Sequence, residues 1–107
     1  MLLGPSGQNI YPEEIEDKLN SMPMVSESVV VQNGDKLIGL VYPDYEEAQT
    51  IGLSNEDLEK LMEQNRMELN EQMPAYSKIS VIRLHEEEFE KTPKKSIKRY
   101  LYQNIYK

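Results

Sequence analysis

Cysteine is absent from the 107 residues, so neither a disulfide framework nor a thiolate metal or redox site can form. Histidine is nearly absent too. His85 alone could complete a Ser-His-Asp triad only as a formal possibility, and beside an acidic run it reads as a surface or strand-end residue. Long apolar runs are missing: the longest, Leu37 to Tyr42, falls far short of the about 20 residues a bilayer requires. The N-terminus has no basic region ahead of a long apolar stretch, so no signal peptide is expected. Positive charge is also in short supply. Twelve Lys and Arg against nineteen acids leave a formal charge of −7, which disfavours a general nucleic-acid binder. What is present, 38% hydrophobic and 29% charged residues, suits one small cytoplasmic domain spanning residues 1–107 with one modest core.

The charge is segregated along the chain. Residues 1–90 carry all nineteen acids and six basic residues, a formal charge of −13, whereas residues 91–107 carry six basic residues and no acid. A basic helix lying against its own acidic body would explain this. A cationic segment built to meet a phosphate or carboxylate would explain it equally well.

The pattern of residues predicts an α+β domain with a β-hairpin, a mostly three-stranded sheet and about three helices. Met1 to Leu3 ends a strand and leads into the turn-rich Gly4-Pro5-Ser6-Gly7-Gln8-Asn9. Pro12 suits the first position of a helix, Glu13, Glu14 and Glu16 favour its positive end, and Ile15 and Leu19 form its apolar stripe. That helix should stop near Ser21. Val25 to Gln32 and Lys36 to Tyr42 flank Asn33-Gly34, which predicts an antiparallel hairpin ended by Pro43-Asp44. Ser54, with Asp57 three residues on, opens the longest helix; its stripe is Leu58, Leu61, Met62, Leu69 and Met73, and Pro74 stops it. The methionines read as core filler. Ile79 to Leu84 is apolar on both sides, which predicts a covered, central strand. Glu86-Glu87-Glu88 reads as a solvated acidic turn rather than a metal site, because adjacent carboxylates point in different directions. After Pro93 the spacing of Ile97, Leu101 and Ile105 predicts a final helix, flanked by Tyr100, Tyr102 and Tyr106.

Two loops carry chemical interest. Gly4 and Gly7 allow close approach of backbone to a ligand or positive φ, just ahead of a helix N-terminus; an ordinary strand-to-helix turn would use the same residues. Between Lys91 and Arg99 lie four lysines and an arginine, and an ammonium placed there could stabilise charge developing on transferring phosphoryl oxygens.

Taken together and in order, these segments resemble a known family. Gly7-Gln8-Asn9-Ile10-Tyr11-Pro12-Glu13-Glu14-Ile15-Glu16 is similar to a Gly-x-Asn-Val-x-Pro-x-Glu-Ile-Glu segment. Val41-Tyr42-Pro43-Asp44 resembles a strand-end motif, Met73-Pro74-Ala75-Tyr76 a Leu-Pro-x-Tyr turn, and Lys91-Thr92-Pro93 through Arg99 a closing Lys-Thr-x-x-Gly-Lys-Ile-x-Arg signature. All four belong to the small C-terminal domain of the adenylate-forming superfamily: acyl- and aryl-CoA synthetases, nonribosomal-peptide adenylation domains and luciferases. The Thr-Pro-x-x-x-Ile-Lys-Arg form looks most like bacterial long-chain fatty acid–CoA ligases.

The resemblance implies a two-step ligase. A fatty-acid carboxylate attacks the α-phosphate of ATP to give an acyl-adenylate and pyrophosphate; coenzyme A then forms the thioester and releases AMP. The small domain would rotate over its own large N-terminal domain between steps, one face delivering a lysine and the other helping to build the pantetheine tunnel. The resemblance puts Ser6, Gly7 and Gln8 on the CoA side and Arg99 among the cofactor-binding residues, and leaves Mg2+ to the large domain. In one place the chain departs from the pattern: Ser96 occupies the position of the catalytic lysine, and a hydroxyl cannot supply a full positive charge. Lys95, by a slight loop shift, or Lys98, by sharing a side with residue 96 in an extended chain, could replace it, with Lys95 placed slightly ahead. A third route is adenylation that is slow or needs no lysine, and a stand-alone, non-catalytic interaction module of the same fold is the alternative reading. The large domain, the Gly-Arg-x-Lys hinge and any Gly-x-x-x-x-Gly-Lys-Ser/Thr loop are missing from these residues, as in an excised domain. The 107 residues alone should therefore release no pyrophosphate above background from ATP and palmitate, which a coupled pyrophosphate assay would check.

Overall fold

A computed structural model describes residues 2–4 and 6–103. Its main sheet is built on two strands, β3 (Val25–Asn33) and β4 (Lys36–Pro43), paired antiparallel as the Asn-Gly signal predicts. The turn sits one residue later than expected. Asn33 pairs with Lys36, and Gly34 and Asp35 form the tip, with Gly34 at φ 62°. A glycine at the first of two tip positions fits a type II′ turn, whose twist matches that of the strands.

A third strand, β5 (Ile79–Leu84), lies parallel to β4, so the sheet order is β3-β4-β5. The expectation of a central position for β5 is thereby corrected: β4 is central and β5 lies at an edge. The run Leu37-Ile38-Gly39-Leu40-Val41 is buried at every position, whereas most of β5 is only half-buried or exposed. Parallel pairing requires a crossover, and helices α2 (Tyr45–Ile51) and α3 (Asn55–Glu71) supply it. Helix α2 was not anticipated, although its signals are conventional. The Asp44 carboxylate accepts a hydrogen bond from Glu47 N at 3.1 Å, Glu46 and Glu47 sit in its first turn, and Gly52 closes it at φ 80°.

Alternation along β3 and β4 sends apolar side chains to both faces of the sheet. One face meets α1 (Pro12–Asn20) and α3, and its core joins Ile15, Leu19, Val30, Val41, Met62 and Leu69. A short hairpin of β1 (Leu2–Leu3) and β2 (Asn9–Ile10) adds Leu2 and Ile10 to that side. The opposite face, with Val29, Val31, Ile38 and Leu40, is covered by Phe89 and Tyr102, and Ile97 packs against it.

That second cover replaces the expected C-terminal helix. Residues 90–98 form a tight hairpin, and among the described residues the only helical turn after it is a 3-10 turn, Arg99–Leu101. A helix here would stack Lys94 and Lys95 against Lys98 and Arg99 at i, i+4, and it would pull Ile97 off the apolar face. Leu101 and Tyr100 are exposed instead, while Ile105 and Tyr106 of the expected stripe lie outside the described residues.

The cap of α3 is as its sequence promised: Ser54 Oγ accepts from Asp57 N, and the Asp57 carboxylate accepts from Ser54 N. Hydrogen bonds from the Ser54 backbone N–H, chiefly, and from the Ser54 side chain hold the Asp57 carboxyl below its ordinary pKa. Replacing Ser54 with Ala should lower unfolding stability by about 1 kcal/mol, read from urea denaturation at neutral pH.

Candidate functional site

The glycine loop closes the β1–β2 hairpin rather than joining a strand directly to α1. Gly4 N donates to Gln8 O at 2.8 Å, Gly7 N donates to Gly4 O at 3.0 Å, and Ser6 N donates to the Gln8 side-chain oxygen at 3.1 Å. Gln8 is thus folded back beneath the tip, and Ser6 and Gly7 are left exposed. Gly7 takes φ 82° with no neighbouring atom near the place a Cβ would occupy, so backbone geometry rather than crowding selects glycine here. Close by, a groove of about 270 Å³ is lined by Tyr11, Met73 and Tyr76, and the two tyrosines are exposed.

The lysine segment is a five-residue loop held by three backbone bonds. Thr92 N donates to Ser96 O at 2.8 Å, Lys95 N donates to Thr92 O at 2.8 Å, and Lys98 N donates to Glu90 O at 2.8 Å, around a bridge between Lys91 and Ile97. Pro93 and Lys94 take the middle of the turn, and Lys95 follows at φ 66°. This left-handed position is one that glycine occupies without penalty, and it coincides with the glycine of the Lys-Thr-x-x-Gly-Lys signature. Residues Pro93 to Ser96 are exposed, whereas Thr92, Ile97 and Lys98 are half-buried. Ile97 bridges to Lys91 in extended backbone, so alternation puts its neighbours Ser96 and Lys98 on the side opposite Ile97. At Lys98 it bends (φ −77°, ψ 77°), and Arg99 N donates to Ile97 O at 2.9 Å, an inverse γ-turn that sends residue 99 back towards the body.

Arg99 is there received by Glu16. Its Nη2 lies 2.6 and 2.5 Å from the two carboxylate oxygens, its Nη1 lies 3.5 Å from Glu13 Oε1, and its Nε donates to Val30 O at 3.1 Å. Glu16 Oε2 also accepts from Val30 N at 2.7 Å. Burial holds the Glu16 carboxyl above its ordinary pKa, and the hydrogen bonds from Arg99 and Val30 only partly offset that. Lys91 is tied similarly: its ammonium pairs with Glu27 and donates to Phe89 O at 3.2 Å. The hydrogen bond from Lys91 to Glu27 raises the Lys91 pKa. Tyr102 completes the framework, since its hydroxyl accepts from Glu90 N at 2.8 Å and its ring meets Phe89 edge-on.

Between α1 and the hairpin a groove of about 320 Å³ is lined on one side by Glu13, Glu16 and Asp17 and on the other by Lys95, Ser96 and Arg99. Lys95, Ser96 and Lys98 thus belong to one hairpin, while Ser6, Gly7 and Gln8 form a separate loop between β1 and β2. Arg99, expected near a cofactor, has its guanidinium committed to Glu16, Glu13 and Val30. Sequence reasoning missed Glu16 and Glu27 as partners of this segment. No spacing rule could have paired Arg99 with Glu16, 83 positions away; a clue was the only run of acid-free basic residues facing an acid-rich first helix.

Two outcomes follow from this geometry. Lys95→Gly should raise stability by up to about 1 kcal/mol, measured by thermal unfolding, because it relieves a left-handed lysine. For Glu16 the folded pKa exceeds the unfolded one, so its contribution is greatest below about 4.5 and falls as pH rises through the folded value. Stability measured from pH 4 to 7 should therefore decline less, or rise more, in Glu16→Gln than in wild type.

Comparison with known proteins places these features in context. Residues 2–107 match the model of the AMP-binding enzyme C-terminal domain. The chain superposes on the adenylation domain of a carboxylate reductase from Mycobacterium chelonae with a TM-score of 0.80 at 16% identity, covering 98% of this chain and 18% of that one. On a Mycobacterium tuberculosis fatty acyl CoA synthetase the TM-score is 0.62 at 20% identity, covering 99% and 19%. On the A-PCP didomain of a carboxylic acid reductase from Segniliparus rugosus in complex with AMP it is 0.73 at 14% identity, covering 92% and 15%. The chain thus spans less than a fifth of the length of these three structures. No curated protein matches it.

Proposed function

Since the chain belongs to the AMP-binding enzyme C-terminal domain family, we propose that it serves as the small mobile domain of an AMP-forming long-chain fatty acid–CoA ligase. Family membership identifies it as a C-terminal domain of adenylate-forming enzymes; the long-chain acyl-CoA reading is ours. The observation that carries it is the hairpin at residues 90–98, exposed from Pro93 to Ser96, whose left-handed turn falls in register with the family signature.

In that reaction a fatty-acid carboxylate oxygen bonds to the α-phosphorus of ATP as pyrophosphate leaves. The thiol of CoA then displaces AMP from the acyl carbon. The hairpin offers an ammonium to the oxygens on which charge develops in the first step. Two features support Lys98 over Lys95 in this role. The turn already has the register of the signature, so no loop shift is needed to explain Ser96, and Lys98 shares the side of Ser96 in the extended strand. Ser6, Gly7 and Gln8 serve the second step: with no side chain at Gly7, an extended thiol arm can approach the backbone. Mg2+ and the acyl pocket fall to the large domain, and a cytoplasmic setting belongs to the same reading; no helix among the described residues is long and apolar enough to cross a membrane.

Ser96 itself supports a second reading, a non-catalytic interaction module that docks through its cationic hairpin. Joining the chain to its hinge and large domain and measuring both half-reactions separates the two. Under the ligase reading, Lys98→Ala lowers adenylation by about 10²- to 10³-fold, the effect of losing one preorganised charge, and Ser96→Lys raises it. Thioester formation from supplied acyl-adenylate stays near wild type. Unchanged adenylation in Lys98→Ala, Lys95→Ala and the double variant would favour the module.

A further inference from the structure

We propose that Glu16 and Arg99 act together as a positioning pair that sets where the lysine hairpin stands relative to the body of the domain. In an antiparallel ladder every second residue of an edge strand turns its backbone N–H and C=O away from its partner strand. Here Asn33 pairs with Lys36 beside the two-residue turn, so Val30 is one of the outward-facing residues. Both of its outward groups are satisfied by one ion pair: Glu16 accepts from Val30 N at 2.7 Å, and Arg99 donates to Val30 O at 3.1 Å. The two side chains then join each other through bonds from Nη2 to both carboxylate oxygens. A helix, a strand edge and the end of the hairpin therefore meet at one point.

The chemistry of the pair favours positioning over stability. A partly buried ion pair such as this one is weak evidence for net stabilisation, because withdrawing the charges from water offsets much of what their attraction returns. Its geometry, by contrast, is exacting. Glutamine at 16 cannot accept from Val30 while presenting two acceptor oxygens to the guanidinium, and lysine at 99 keeps the charge but loses the fork. Arg99 follows Lys98 directly, and the bend at Lys98 depends on where Arg99 is anchored.

The test compares the intact protein with Glu16→Gln and Arg99→Lys, reading amide exchange in two stretches, residues 90–98 of the hairpin and 36–43 of β4. Exchange in the hairpin should accelerate at least tenfold in both variants while that in β4 changes less than threefold. Equal acceleration in the two stretches, loss of the whole fold in both variants, or an unchanged hairpin would each overturn positioning. A readout that a purely structural role would not move comes from the ligase reading, on which this part rests. Adenylation kcat should fall at least tenfold in both variants with KM for ATP unchanged, and thioester formation from acyl-adenylate should be retained. A hairpin loosened as expected but with adenylation intact would uphold the positioning pair and count against the catalytic role of the hairpin.

Discussion

Both faces of a three-stranded sheet are apolar in this domain, and both must be covered by a chain of 107 residues. The helices α1 and α3 can cover only one face. The other falls to a segment with little regular structure, residues 89–102, which reaches it with Phe89, Ile97 and Tyr102. Most of what is distinctive in the C-terminal part follows from this demand. To cover its face, the segment must run beside β3, and there it is tied at Glu27, at Val30 and, through Gln103 Nε2, at Gln32 O.

The exposed lysines are a by-product of the same packing. Ile97 turns inward, so the residues on either side of it turn outward, and the turn that precedes it projects Pro93 to Ser96 into solvent. Positive charge is thus concentrated on a small loop above a body rich in acids. Two acids of that body, Glu16 and Glu27, are spent on the cations that anchor the loop, Arg99 and Lys91. Lys94, Lys95 and Lys98 are set apart from those anchoring pairs, a division of labour between holding the loop and presenting charge that identical residue types do not reveal in the sequence.

The glycine loop is built differently. It is a hairpin tip whose form comes from local backbone bonds and the Gln8 side chain, and among its described residues only Gly7 takes a positive φ. Local determination is why this loop could be recognised from residues alone, though its hairpin partner β2 could not: two residues are too few to show a period.

Sequence alone determined the elements whose signals are short-range. Examples are the capping box of α3, the proline start of α1, the antiparallel β3–β4 pair and the motif order that pointed to the family. It also held the signals for α2, Asp44 and Gly52, which were overshadowed by the strand end before them. Only tertiary structure decided the rest. The apolar run at 79–84 became an edge because a parallel crossover brought it beside β4 rather than between strands. The basic segment became a hairpin instead of a helix because Ile97 and Tyr102 were needed on an uncovered face of the sheet. Arg99 found Glu16 across 83 residues because an outward-facing Val30 left a donor and an acceptor for them to share. Such contacts depend on which surfaces remain bare after the local elements have formed, and a one-dimensional pattern does not encode that.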